Sequence, residues 1–181
     1  MRVRPLRIRH LETADLPVVR AWMRDDPGAP AWSDDDLAGI VRSRADDPRT
    51  IRAGKIRVGR IRTAWIAEID PSTLAGFVVA TALSVPEAPP ECELELVLVP
   101  APIRRRGIGR TLIHTVIAWT RDLGAEEIWL EVRASNMPAL QLYRQCGFVI
   151  AGRRPGYYAD PPEDAVLMRC RIGCERGGAP V

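Results

Sequence analysis

Leu94–Leu112 reads LELVLVPAPIRRRGIGRTL, and its order decides the fold. An apolar run of strand type gives way to a proline-marked turn, then to Arg104, Arg105 and Arg106, then to Gly107-Ile108-Gly109, then to a helix pattern. Gly107 and Gly109 carry no Cβ, so a ligand can approach the main chain closely. The helix that follows points its unpaired first-turn N–H groups, and the positive end of its dipole, at the turn. Arg104, Arg105, Arg106 and Arg110 add full charge. A pyrophosphate suits such a place. A dinucleotide fingerprint would need Gly or Ala where Leu112 stands, and a Walker loop would need a lysine where Arg110 stands. An ordinary strand–turn–helix with an arginine-rich rim is the plain alternative.

Downstream of this segment the chain reads EVRASNMPALQLYRQCGF over 131–148, then GRRPGYY over 152–158 and EDAVLMR over 163–169. The pattern Arg-x-x-Gly-x-Gly at 104–109 together with the 131–148 block resembles the GCN5-related N-acetyltransferases. It is most similar to the branch that acetylates the α-amine of ribosomal-protein alanines. The resemblance implies a single-domain α/β acetyltransferase fold over 1–172, with a mixed central sheet flanked by helices and a tail at 173–181. It implies acetyl-CoA as co-substrate, no metal, and a protein or peptide N-terminus as acceptor, with a small-molecule amine or a lysine side chain as the alternative acceptor. Glu131 falls on the proton acceptor and Tyr143 on the proton donor to the departing thiolate. Val97, Leu98 and Val99 fall on the strand edge that holds the pantetheine arm, Arg104 through Arg110 on the pyrophosphate loop, and Asn136 on a further coenzyme contact. Ile108 belongs to that loop with its glycines. Arg153, Arg154, Tyr157 and Tyr158 fall beside the peptide groove. The usual Val-His-Pro-x-aromatic sequence is replaced by Val99-Pro100-Ala101-Pro102-Ile103.

The residues carry bland readings beside these. In the strand 127–133, alternation puts Ile128, Leu130 and Val132 on one face and Trp129, Glu131 and Arg133 on the other. Glu131 paired with Arg133 at the surface would explain a mid-strand carboxylate. Glu93 and Glu95 rival it as the base and also fit a solvated face. Tyr143 fits a packing role in a short amphipathic helix, Asn136 an N-cap, and GRRPGYY a surface loop.

Working outward, a strand at Pro5–Arg9 and a helix at Ala14–Met23 open the chain, with Thr13 as cap and Asp15 in the first turn. Ser33 before Asp34-Asp35-Asp36 starts a second helix reaching Arg44. Strands follow at Thr63–Ile69 and Leu74–Ser84, joined by a turn at Asp70-Pro71-Ser72, then at Cys92–Val99. A helix at Gly107–Leu123, stopped by Gly124, leads to the strand Glu127–Arg133, the helix Met137–Gln145, and strands Phe148–Gly152 and Ala165–Ile172. The resulting order is β-α-α-β-β-β-α-β-α-β-β. The basic stretch Asp46–Arg62 reads as a loop leading into, or partly pairing with, the next strand.

Bulk properties set wider bounds. The 181 residues are 46% hydrophobic and 27% charged, which suits one globular domain. Of the 26 basic residues only Lys55 is a lysine. That bias fits a GC-rich genome, and it also fits an arginine-rich module binding ribosomal RNA, a non-enzymatic alternative. No apolar run reaches membrane-spanning length and the N-terminus lacks an apolar signal region, so neither a membrane span nor a signal peptide is expected. With its cysteines expected reduced, a cytoplasmic protein, as monomer or homodimer, is the expectation. Cys92, Cys146, Cys170 and Cys174 form no Cys-x-x-Cys, so no zinc site is expected.

Overall fold

The computed structural model describes residues 6–45, 59–70 and 73–173, with no account of the side chains at 43–45. The basic stretch 46–58, the tail 174–181 and the turn residues 71 and 72 lie outside the described residues. Seven strands form one sheet in the order β1-β2-β3-β4-β5-β7-β6. In chain order they are β1 (Arg7–His10), β2 (Gly59–Asp70), β3 (Thr73–Ser84), β4 (Glu91–Leu98), β5 (Glu127–Arg133), β6 (Val149–Ala159) and β7 (Pro162–Arg171). The helices are α1 (Leu16–Asp25), α2 (Asp34–Ala45), α3 (Ile108–Asp122) and α4 (Met137–Gln145). Among the described residues only the β4–β5 pair is parallel. Among the described residues no helix is long and apolar enough to cross a membrane.

Apolar side chains on both faces of β2 and β3 give the sheet two cores. On one face Val78, Ala80, Leu94, Ile128 and Leu130 pack with Leu112, Ile113 and Val116 of α3 and with Leu140 and Tyr143 of α4. On the other, Ile66, Phe77 and Val79 pack with Leu16 and Val19 of α1 and Leu37 and Ile40 of α2. Trp119, at the rim of α3, meets Trp65 edge-on at 5.5 Å between ring centres. The helix starts differ in their caps. Ser33 and Asp36 cap α2 reciprocally: Asp36 N–H donates to Ser33 Oγ at 3.2 Å, and Ser33 N–H donates to Asp36 Oδ2 at 2.8 Å. Thr13 is not the cap of α1. It lies in a 3-10 turn, Thr13–Asp15, that precedes the helix.

Asp15 is likewise more than a first-turn charge. It is 5% exposed, accepts from Arg9 Nη1 and Nη2 at 2.7 Å each, and accepts from Glu12 N–H at 2.8 Å. Burial pushes its pKa up, but the Arg9 and Glu12 bonds outweigh that and hold it below the ordinary value. A carboxylate depressed in the folded state contributes stability above its unfolded pKa and loses it as pH falls. Asp15→Asn is therefore expected to be destabilising at pH 7. The gap in melting temperature from the parent should close as pH drops below about 4. A gap that is the same at pH 7 and pH 3 would contradict this.

Two features of β4 shape the site. Ala80 pairs with Leu94 and Val79 with Leu96, so Glu95 is an extra residue, a β-bulge. The bulge inverts the alternation: Cys92 and Leu94 face α3, whereas Leu96 and Leu98 face α1 and α2. Beyond Cys92↔Ile128 and Glu93↔Trp129, β4 and β5 no longer pair. The strands diverge there, which leaves the β5-facing backbone edge of the end of β4 without a strand partner.

Candidate active site

The chain after β4 turns through a 3-10 segment, Ala101–Ile103, and enters α3 through Gly107. Gly107 takes φ 81 and no side chain caps the helix, so the first-turn N–H groups face outward. Arg105 takes φ 67, a left-handed conformation that costs an L-residue about 1–2 kcal/mol. Arg104 braces the loop from inside: its Nε donates to Val99 O and its Nη2 to Asp26 Oδ2, both at 2.8 Å. Around this loop lies a cleft of about 480 Å³, bounded by Val97 and Val99, by Arg104, Arg105, Gly107, Ile108, Gly109 and Arg110, and by the α4 face bearing Asn136, Leu142 and Tyr143. Leu98 and Arg106 do not line it. Leu98 is buried against α1 and α2, and Arg106 is exposed. Gly109 is where α3 and α4 approach: a Cβ there would stand 3.0 Å from Leu142 Cδ2.

A second, smaller cleft of about 140 Å³ opens on the other side of the gap between β4 and β5. Glu95, Glu131, Arg133 and Tyr158 line it with Gly28 and Ala29 of the α1–α2 loop. Asp26, Val97, Asn136, Ala139 and Tyr143 border both clefts. The two clefts thus meet at the strand gap, with an arginine- and glycine-lined loop bordering one, a carboxylate the other and the Tyr143 phenol both.

Tyr143 reaches this place because α4 is short and pinned at its start. Asn136 Oδ1 accepts from Ala139 N–H at 3.2 Å, and Pro138 fills the first turn. Asn136 is therefore an N-cap whose side chain also borders both clefts. Tyr143 packs on Phe148 with 5.8 Å between ring centres. Burial, with smaller pushes from Tyr158 and Cys146, raises its pKa well above the usual phenol value.

The three carboxylates are now distinguishable. Glu95 is bound on several sides: Arg62 Nε donates to it at 2.8 Å, and Thr81 Oγ also donates to it. Glu93 is exposed at the mouth of the gap and carries no ion pair among the described residues. Crowding by protein atoms, then the charges of Glu95 and Glu131, push its pKa up. Glu131 faces the small cleft, and its partner is Arg154 at 2.5 Å, not Arg133. Arg133 instead pairs with Glu163 at 3.4 Å and lies over the Tyr158 ring at 4.1 Å. The reason is that GRRPGYY is not a loop. It lies within β6, which runs on to Ala159 and carries Arg154 and Tyr158 toward β5.

Sequence reading missed Asp26. The Pro27–Pro30 stretch that follows it reads as a helix breaker, and the tie of Asp26 to Arg104 spans 78 residues. Among the described residues no group of His, Cys, Asp and Glu is placed to hold a metal ion.

The sequence profile of the acetyltransferase (GNAT) family matches residues 5–148. The chain belongs to that family. An acetyltransferase for alanine of ribosomal protein bS18 from Salmonella typhimurium is 41% identical over 84 residues, which are 45% of this chain and 57% of that protein. The matched stretch spans 33% of the length of an uncharacterized protein from Mycobacterium leprae and 57% of that of the Salmonella enzyme. The Escherichia coli ribosomal-protein-S18-alanine N-acetyltransferase structure superposes with a TM-score of 0.69 at 26% identity, covering 98% of this chain and 100% of that one. Arabidopsis thaliana NAA60, solved with acetyl-CoA, gives a TM-score of 0.74 at 21% identity, covering 93% and 100%, and shares the fold. The GNAT order of elements, from β1 through β7, is the one expected from the sequence.

Proposed function

We propose that this chain transfers the acetyl group of acetyl-CoA to the N-terminal α-amine of a protein, in the manner of a ribosomal-protein acetyltransferase. The observation that carries the reading is the passage between β4 and β5, with an arginine- and glycine-lined anion loop at one end, Glu131 at the other and Tyr143 bordering both. The relatives named for ribosomal-protein alanine acetylation and the fold-mate solved with acetyl-CoA support it. In this reading residues 1–172 form the catalytic domain, 173–181 a tail, and the protein is cytoplasmic, as monomer or homodimer.

The coenzyme's pyrophosphate lies at the N-terminus of α3, against Arg105, Arg110 and the backbone at Gly107 and Gly109, and its peptide-like arm bonds to the free edge of β4 at Val97–Val99. Arg104 holds the loop, Leu98 contributes backbone only, Arg106 lends charge from the rim, and Asn136 contacts the arm. Glu131 takes the proton of the incoming amine, directly or through water, and Tyr143 hydrogen-bonds the departing sulfur. A protein α-amine, with a pKa of about 7.7–8.0, is already about one-third neutral near pH 7.5, so one carboxylate suffices for it.

Thiol release from acetyl-CoA tests the reading, with a panel of Ala-starting peptides, lysine peptides with blocked N-termini, and small amines. Turnover on the Ala-starting peptides is expected. Turnover on small amines with none on those peptides would overturn it. The loop itself has a separate test. A Cβ at Gly107 meets nothing within 4 Å, so Gly107→Val acts through strain at φ 81 and not through a clash. The strain of about 1–2 kcal/mol predicts coenzyme A binding about tenfold weaker by calorimetry. Unchanged affinity would separate this loop from the pyrophosphate.

A further inference from the structure

The edge strand β6 contains an irregularity with a purpose. Arg154 pairs with Ala165 and Tyr158 with Glu163, so Pro155, Gly156 and Tyr157 stand opposite Asp164 alone. Gly156 supplies φ 60, and its N–H donates to Asp164 Oδ1 at 3.0 Å, which fixes the bulge. Bulges re-aim side chains. Here β6 is separated from β5 by β7, yet Arg154 Nη1 reaches Glu131 Oε1 at 2.5 Å. Tyr157 is coupled to the same carboxylate: interaction with Glu131, ahead of burial, lifts its pKa to about 12. The Arg154 guanidinium lies 5.3 Å over the Tyr157 ring.

The two ends of this ion pair are unequal. The Glu131 side chain is 15% exposed and that of Arg154 is 57% exposed. A carboxylate held that far from water needs a cation nearby. An exposed guanidinium gives up a partner at small cost. So if one member leaves, it is Arg154, and it leaves only when another cation arrives. Resting on the acetyl-transfer reading above, we propose that Arg154 is an exchangeable counter-ion: the acceptor's ammonium displaces it from Glu131 on binding. Arg154 returns when acetylation has removed that charge.

The consequence is discrimination between substrate and product. A free-amine peptide brings a cation that takes over Glu131. The N-acetylated peptide brings none, so the Arg154–Glu131 pair reforms and the product has no ionic hold on the site. Arg154 is in this sense a positioning residue, acting on Glu131 without touching the reacting atoms.

Arg154→Gln keeps the stem and a polar head but removes the charge, and Arg154→Lys restores a cation. Binding of an Ala-starting peptide and of its N-acetylated form is measured by calorimetry with coenzyme A present, so that no turnover occurs. Arg154→Gln is expected to bind the free-amine peptide at least threefold more tightly than the parent. The acetylated peptide should stay within twofold, and Arg154→Lys should resemble the parent for both. Melting temperatures identify a variant that has lost its fold, in which case Arg154→Met is used in its place. Equal weakening of both peptides, or no change in either, overturns the inference. If the parent turns over the peptide while these affinities do not diverge, only the counter-ion role fails. If the parent turns over no N-terminal peptide, acetyl transfer to α-amines fails instead.

Discussion

Tyr143→Phe is expected to lower turnover about a hundredfold while leaving coenzyme A affinity within about twofold, because it deletes one hydroxyl and nothing else. The ring is packed against Phe148 in the core that joins α4 to the sheet, and phenylalanine keeps that packing. What it removes is a donor at the junction of the two clefts. The raised pKa keeps the proton on the phenol throughout the neutral range. It also sets how the group acts. In the proposed reaction, a phenol that holds its proton more tightly than a thiol does would stabilise the departing sulfur by a hydrogen bond that strengthens as charge builds, rather than by outright transfer. The effect should therefore appear in kcat, with binding spared. The rate ratio between Phe and Tyr should also be flat from pH 6 to pH 9, since the phenol does not titrate there. Steady-state kinetics with thiol detection measures both. A Tyr143→Phe enzyme with parental kcat would remove Tyr143 from the chemistry and leave it a packing residue.

Much of this was legible in the residues because it depends on local periodicity. The alternation of Ile128, Leu130 and Val132 against Trp129, Glu131 and Arg133 fixed which face of β5 carries the carboxylate. The Gly107–Gly109 turn and the Ser33–Asp36 cap are short-range chemistry and sit where the sequence puts them. What the sequence did not reveal depends on long-range geometry. The plain alternative for Glu131, a surface pair with Arg133 two residues along the same strand, does not form; its partner Arg154 arrives across β7 from 23 residues away. The surface-loop alternative for GRRPGYY follows from proline and glycine, which break a strand pattern. In fact they form the bulge that lets the strand continue. Asp15 reads as a helix-dipole charge, and its pairing with Arg9 of β1 is visible only in the structure. The bulge at Glu95 and the parting of β4 from β5 leave no local signal, although the whole passage depends on them.

Gly76 shows how closely that passage is tied to the core. It lies in β3, where a Cβ would stand 2.7 Å from Leu98 O, 3.2 Å from Val99 Cγ2 and 3.4 Å from Leu112 Cδ1. The first of these is a backbone atom in a paired strand, Phe77↔Leu98 being the adjacent rung, so it has little room to yield. The φ of 155° adds to the cost. Gly76→Ala is expected to destabilise the protein by about 2–3 kcal/mol, a drop of about 5–10 °C in melting temperature. The strain falls on the end of β4, next to Val97 and Val99 at the rim of the larger cleft. Whatever protein folds should therefore also bind coenzyme A more weakly. Gly39→Ala is the matched control. It sits in α2 with only Arg42 Nη2 at 4.0 Å from the new Cβ, and there the same substitution should stabilise by up to about 1 kcal/mol through helix propensity. Opposite signs for one chemical change would locate the constraint in the contact between β3 and the end of β4. A Gly76→Ala protein that melts with the parent would show that β4 can shift outward freely, and the passage would then not be set by close packing beneath it.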